Sequence, residues 1–175
     1  MSIRGEYVDN LLFEALLELA EEMPLRKISV KALCDKAGVA RQTFYNHFVD
    51  INELISWGPF HYVSAHSEYS YDINGIRAAY EFALAHKGFF AQLPHHSGQN
   101  SFRESFVLYV SEFNFNQYVT DDMDEETRLR RSLSIQMFAH GIVDLFLDWC
   151  EADLSWPLET LLAAQDDVLP SFMRE

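Results

Sequence analysis

Apolar residues recur at spacings of three and four along almost the whole chain, and no segment sustains the strict alternation of a half-buried strand. The first stretch shows the pattern: Val8, Leu11, Leu12, Ala15, Leu16 and Leu19 share one helical face, and Met23-Pro24 ends it. Only 7 Gly and 5 Pro occur in 175 residues, too few for a turn-rich β architecture. The expected fold class is all-α.

Further helices follow from the same signals. Ser29 suits an N-cap for a short helix with Val30, Leu33, Cys34 and Ala37 inward, and Gly38 closes it. A third helix is expected from about Ala40 to Phe48. A fourth runs from Asp50, with Glu53 completing a capping box, to about Ser67, with Pro59 a potential kink. Beyond Tyr71 the sequence predicts helices over 76–93 and 102–119, a polar loop over 95–100, and a long helix opened by the acidic run 121–126. In that helix Asp124–Arg128 and Glu126–Arg130 are spaced as i, i+4 pairs. Residues 133–149 are apolar on most faces, which predicts burial on more than one side. Pro157 suits the start of a last helix reaching about Met173.

With 49% hydrophobic and 14% aromatic residues the chain can bury a core, and global disorder is excluded. No apolar run approaches the roughly 18–20 residues of a membrane span. Residues 1–6 lack the apolar core of a signal peptide. Cys34 and Cys150 lie far apart within apolar-periodic segments, the pattern of reduced, buried thiols in a cytoplasmic protein. The net charge of −14 argues against nucleic acid when taken alone, but it is unevenly spread. Between Arg26 and His47 five cations face one carboxylate, a local charge of +4, whereas residues 56–175 carry −11.

The basic stretch contains the one specific constellation. Ser29 to Leu54 reads SVKALCDKAGVARQTFYNHFVDINEL, two short helices joined at Gly38-Val39 in the form of a helix-turn-helix. Phe44 and Phe48 lie four apart and face inward, while Arg41, Gln42, Tyr45 and Asn46 share the opposite side. Arg, Gln and Asn are the side chains that bond base edges in a major groove. Hydroxyl and imidazole groups at Thr43, Tyr45 and His47 are of the kind that reach phosphate oxygens.

The segments Ile28-Ser29-Val30, Ala37-Gly38-Val39, Thr43-Phe44-Tyr45-Asn46-His47-Phe48 and Glu53-Leu54 resemble the DNA-binding domain of the tetracycline-repressor (TetR/AcrR) family of bacterial regulators. The resemblance covers about the first 55 residues and includes the preceding helix. It implies base contacts from Arg41 and Gln42, with Lys31 and Asn46 beside them. It also implies phosphate contacts from Thr43, Tyr45 and His47, with Ser29 nearby. Two positions depart from the family pattern. Ala40 stands where a Ser cap is common, a loss of about 1 kcal/mol of capping. Ile51 stands where the family has a phosphate-contacting Lys, so affinity and its salt dependence should be reduced.

The resemblance further implies two domains, a three-helix DNA-binding head over 1–50 and a helical dimerisation and effector-binding body over 51–175. Trp57 and His61, four apart on one helix, are the candidate effector-lining residues. Met137, Gly141, Leu145, Phe146, Trp149, Leu161 and Leu162 are the candidate dimer contacts, on two helices that resemble the family's paired dimerisation helices. The run from Gly141 to Trp149 resembles the short C-terminal domains of a subgroup that includes dihydroxyacetone-kinase regulators. His140, Asp144 and Asp148 form an i, i+4, i+8 stripe of the kind that can bind a divalent metal, and read better as a polar helix edge. His95-His96 has no partnering ligand close in sequence. No metal or cofactor is expected.

The expected function is a dimeric, cytoplasmic transcriptional regulator, a repressor as most often in that family. It would bind a palindromic operator and respond to a small molecule that the sequence does not name. The alternative is a helix-turn-helix co-regulator that acts mainly through a protein partner, favoured by Ile51 and the net acidity and opposed by the intact recognition face. An enzyme is not expected. The sequence holds no Gly-rich phosphate loop, no Ser or Cys nucleophile motif and no zinc-protease signature.

Overall fold

A computed structural model describes residues 3–66, 73–96 and 102–174, and all regular structure among them is helical. The expected head holds α1 (Ile3–Glu22), α2 (Val30–Ala37) and α3 (Arg41–His47), and α4 (Ile51–His66) follows it. The body adds α5 (Ile73–Ala85), the single turn α6 (Lys87–Phe90), α7 (Phe102–Tyr118), α8 (Glu125–Glu151) and α9 (Leu158–Val168).

Local chemistry accounts for most boundaries. Ser29 caps α2 by accepting the Ala32 N–H, and Gly38 ends it at φ 69°, a left-handed conformation that glycine adopts without steric cost. Ala40 precedes α3 and makes no side-chain cap. Asp50 accepts the Glu53 N–H at 2.9 Å, and the Glu53 carboxylate reaches back to the Val49 N–H, one residue before the expected partner. Asp124 caps α8 through the Thr127 N–H.

Three details differ from the sequence expectation. Arg128 turns away from Asp124 and binds Asp121 and the Thr120 carbonyl, because the Asp124 carboxylate is engaged as a cap. The helix expected over 76–93 divides at His86 into α5 and α6, followed by a 3-10 turn over Leu93–His95 that includes Pro94. The last helix stops at Val168 instead of Met173, since Pro170 holds Leu169 in an extended conformation. The loop expected over 95–100 lies outside the described residues beyond His96, as does Ser67 at the end of the fourth helix.

One apolar core runs from Leu12, Leu16, Phe44 and Phe48 in the head through Leu54 and Phe89 to Phe146, Trp149 and Leu161 in the body. It therefore passes across the 50/51 boundary, which coincides with the turn between α3 and α4. Gly58 lets α4 lie close on α1: a Cβ there would stand 2.0 Å from the buried Phe13 ring, which would have to shift to admit it.

Deep in the body Phe146 is ringed by Tyr80, Phe90, Phe106 and Trp149, at centroid distances of 5.4–6.0 Å. Phe146, Trp149, Leu161 and Leu162 are thus buried within the protomer, and offering them as dimer contacts requires correction. Their apolar character serves the contacts of α8 and α9 with α5 and α6. Leu145 is half-buried against the same core, while Met137 and Gly141 are exposed. The long helix is consequently two-faced. Ile135, Ala139, Val143, Phe146 and Trp149 point inward, and Leu129, Leu133 and Met137 point out.

Candidate nucleic-acid interface

The recognition helix is held from behind by rings. Phe44 packs against Phe48 at 5.9 Å, Phe48 meets the edge of Trp57 at 5.6 Å, and Trp57 stacks on His61 at 4.9 Å. Phe44 is fully buried, which turns the opposite side of α3 outward. Arg41, Gln42, Tyr45 and Asn46 are all exposed there, as the spacing predicts. Gln42 donates from its amide to the Asn46 Oδ1 at 3.1 Å, so the two amides stand as one preformed unit. Tyr45 lies edge-on against Phe44, 5.3 Å between centroids, with 56% of its surface free. Thr43 is half-buried, and its N–H closes the first turn on the Ala40 carbonyl.

Lys31 on α2 pairs with Asp35 at 2.8 Å, an exposed i, i+4 pair that holds the Asp35 carboxyl below its ordinary pKa. Ser29 serves as the α2 cap. Lys36 pairs with Glu18 of α1, joining the second helix to the first. Ile51, at the family's Lys position, is half-buried and packs against the core as the first residue of α4.

His47 is the candidate whose surroundings the sequence reading missed. Its Nδ1 lies 2.6 Å from the Oδ1 of Asp9, a residue of α1 only 4% exposed. Burial raises the Asp9 pKa, against the opposing pull of the His47 hydrogen bond and charge. The signal was present: Asp9, Phe13, Leu16 and Ala20 fall at i, i+4, i+7 and i+11, which places a carboxylate on the apolar face of α1.

Trp57 and His61 do not line a described cavity. Trp57 is half-buried between the head's rings and the core, and His61 is exposed beside it, its pKa lowered by desolvation. A groove does exist elsewhere, between α7 and α8, lined by Ser111, Glu112, Phe115, Asn116, Ser132, Ile135 and Gln136. Asp144 accepts from Nε and Nη2 of Arg103 at 2.7 and 2.8 Å, so it belongs to a salt bridge between α7 and α8. Among the described residues no group of three His, Cys, Asp or Glu is placed to hold a metal. His96 bonds Asn52 at 2.8 Å, joining the turn after α6 to α4.

The sequence reading also missed the link between head and body. Gln92 accepts the Leu25 N–H at 2.7 Å and donates to the carbonyls of Ala20 and Gly88. The Gly88 N–H in turn donates to Glu21, and Lys87 pairs with Asp153 after α8. One turn of helix thereby joins the end of α1 to the end of α8.

Among the described residues no helix is long and apolar enough to cross a membrane. No curated protein matches the chain. Among solved structures it is similar to the dihydroxyacetone kinase operon activator DhaS, with a TM-score of 0.64 and 18% identity over 92% of this chain and 93% of that one. It is also similar to NalD, the secondary repressor of the MexAB-OprM multidrug efflux pump in Pseudomonas aeruginosa. That TM-score is 0.48, with 15% identity over 98% of this chain and 96% of the other. The first likeness speaks to the fold alone. Residues 12–56 match the family described as bacterial regulatory proteins, tetR family, and this span runs from the second half of α1 through the first turns of α4. The match is confined to the helix-turn-helix head, which is thus similar to that of the tetR family of bacterial regulatory proteins.

Proposed function

We propose that the chain works as a homodimer that reads a two-fold-symmetric operator and represses by occupying it. The observation that carries the reading is the outward face of α3, where Arg41, the Gln42–Asn46 pair and Tyr45 stand free on a helix fixed by Phe44 and Phe48. Arg is suited to guanine O6 and N7, and Gln or Asn to adenine N6 and N7. Thr43, Tyr45 and His47 supply phosphate contacts with Ser29 nearby, and Lys31 on α2 stands beside the base-reading residues. The half-buried Ile51 takes the place of one cation, so the head grips the backbone with one charge fewer.

Dimerisation is assigned to the outer faces of α7 and α8. Leu108 and Phe115 on α7 lie seven apart, and Leu129, Leu133 and Met137 on α8 recur at four, all exposed and flanking the groove between the helices. Gly141 continues the stripe with open space around it. Five exposed large apolar side chains on two adjacent helices are more than a monomer usually leaves in water. A small-molecule effector acting on the body would reach the head through α4, where Trp57 and His61 stack, and through the Gln92 junction. Such a ligand shifts the DNA equilibrium only by its difference in affinity for the two head spacings.

Substitution of the face tests the reading. Arg41→Ala should cost about 1–3 kcal/mol at one base position and relax specificity there, whereas Thr43→Ala should weaken all sequences alike. Binding of single-base operator variants, measured by fluorescence anisotropy, checks this. A uniform loss from Arg41→Ala would make that residue a phosphate contact and remove the basis for readout by α3.

A further inference from the structure

We infer that Asp9 of α1 is a positioning residue for DNA binding: it fixes the ring of His47 so that the phosphate contact made by this histidine requires a proton. The inference rests on the DNA-binding reading of α3 and adds a residue outside the helix-turn-helix together with a dependence on pH.

The geometry is specific. Asp9 Oδ1 and His47 Nδ1 lie 2.6 Å apart, the carboxylate side chain is 6% exposed and the imidazole 21%. From the elements around it Asp9 faces Glu6 on its own helix, His47 on α3 and His61 on α4. The proton between them is assigned to Nδ1, which donates to the carboxylate oxygen. Nε2 is then the nitrogen that remains for a ligand.

The consequence follows from the two-nitrogen chemistry of imidazole. In the neutral ring with Nδ1 protonated, Nε2 carries a lone pair and can only accept. A phosphate oxygen also only accepts, so the two repel. The contact forms when Nε2 takes up a proton from solvent, giving an imidazolium that donates through Nδ1 to Asp9 and through Nε2 to the phosphate. DNA binding is therefore coupled to the uptake of one proton. Affinity should fall as pH rises, by at most roughly tenfold per pH unit.

Asp9→Asn separates positioning from simple packing. The asparagine amide fills nearly the same volume and can donate its own N–H to Nδ1, which moves the ring proton to Nε2. The neutral ring then serves as a donor without taking up a proton. The duplex to use is one recovered by the wild-type protein from a random pool, end-labelled, with anisotropy read from about pH 6 to about pH 8.5 at constant ionic strength. The expected result is a wild-type dissociation constant that climbs with pH toward roughly tenfold per unit, and a flat profile for Asp9→Asn. Parallel profiles for the two proteins, with binding retained, would overturn the inference and leave the DNA-binding reading standing. Failure of the wild type to retain any duplex at any pH would overturn both. Nitrogen-15 spectra of the wild-type imidazoles give an independent decision on folded protein without DNA. Nδ1 of His47 should carry the proton in the neutral ring, and a protonated Nε2 there would overturn the assignment.

Discussion

A chain carrying Leu133→Asp together with Met137→Asp should run as a monomer, melt where the parent melts, and bind operator DNA roughly a hundredfold more weakly or worse. Met137 is 77% exposed and Leu133 51%, so neither side chain belongs to the core of its own protomer. Surface replacements of that kind ordinarily change stability by no more than about 0.5 kcal/mol. In an interface the same carboxylates would be desolvated against their symmetry mates. The loss of DNA affinity follows because two half-sites held by one rigid dimer bind far more tightly than either alone. Light scattering, a thermal melt and an anisotropy titration on the same sample read the three quantities together. A dimer that survives both substitutions would place the interface elsewhere.

The opposite face of the same helix should behave in the opposite way. Phe146→Ala is expected to cost about 3–5 kcal/mol of stability while leaving the subunit count unchanged. The ring is 5% exposed and touches four aromatic neighbours on α5, α6, α7 and α8, so truncation leaves a cavity that relaxes only in part. A typical domain holds only about 5–15 kcal/mol in total, and a loss of this size moves a denaturant midpoint visibly. Dissociation of the dimer without a shift in the melt would contradict the assignment of Phe146 to the interior.

These two residues also mark what the sequence could and could not convey. Periodicity locates α8, because a 3.6-residue repeat of apolar side chains is a local property. It does not tell an inward Phe146 from an outward Met137, since a helix apolar on most faces presents no contrast between its core side and its exposed side. The head was more legible. Ser29, Gly38 and Asp50 act through bonds to residues three or four away, and the outward turn of Arg41, Gln42 and Asn46 follows from Phe44 and Phe48 being the inward pair. Contacts between distant segments were not legible. Gln92 bonds residues 67 and 72 positions earlier, and Asp9 meets His47 across 38 positions. No spacing rule reaches that far. Even so, a carboxylate on the apolar face of α1 is a conflict between local pattern and burial, the kind of mismatch that tends to mark a working residue. The early end of α9 at Leu169-Pro170 was readable from the proline.

The central claim is that two copies of α3 read DNA across a two-fold axis, and selection from a random duplex pool by the purified wild-type protein tests it most directly. Enriched duplexes should carry one half-site twice, in inverted orientation, with centres about 34–36 Å apart or a multiple of that distance. Repeating the selection with Arg41→Ala should blur one base position in both halves at once. Enrichment of a single unpaired site, or of no sequence at all under conditions in which the protein is folded and dimeric, would contradict the account.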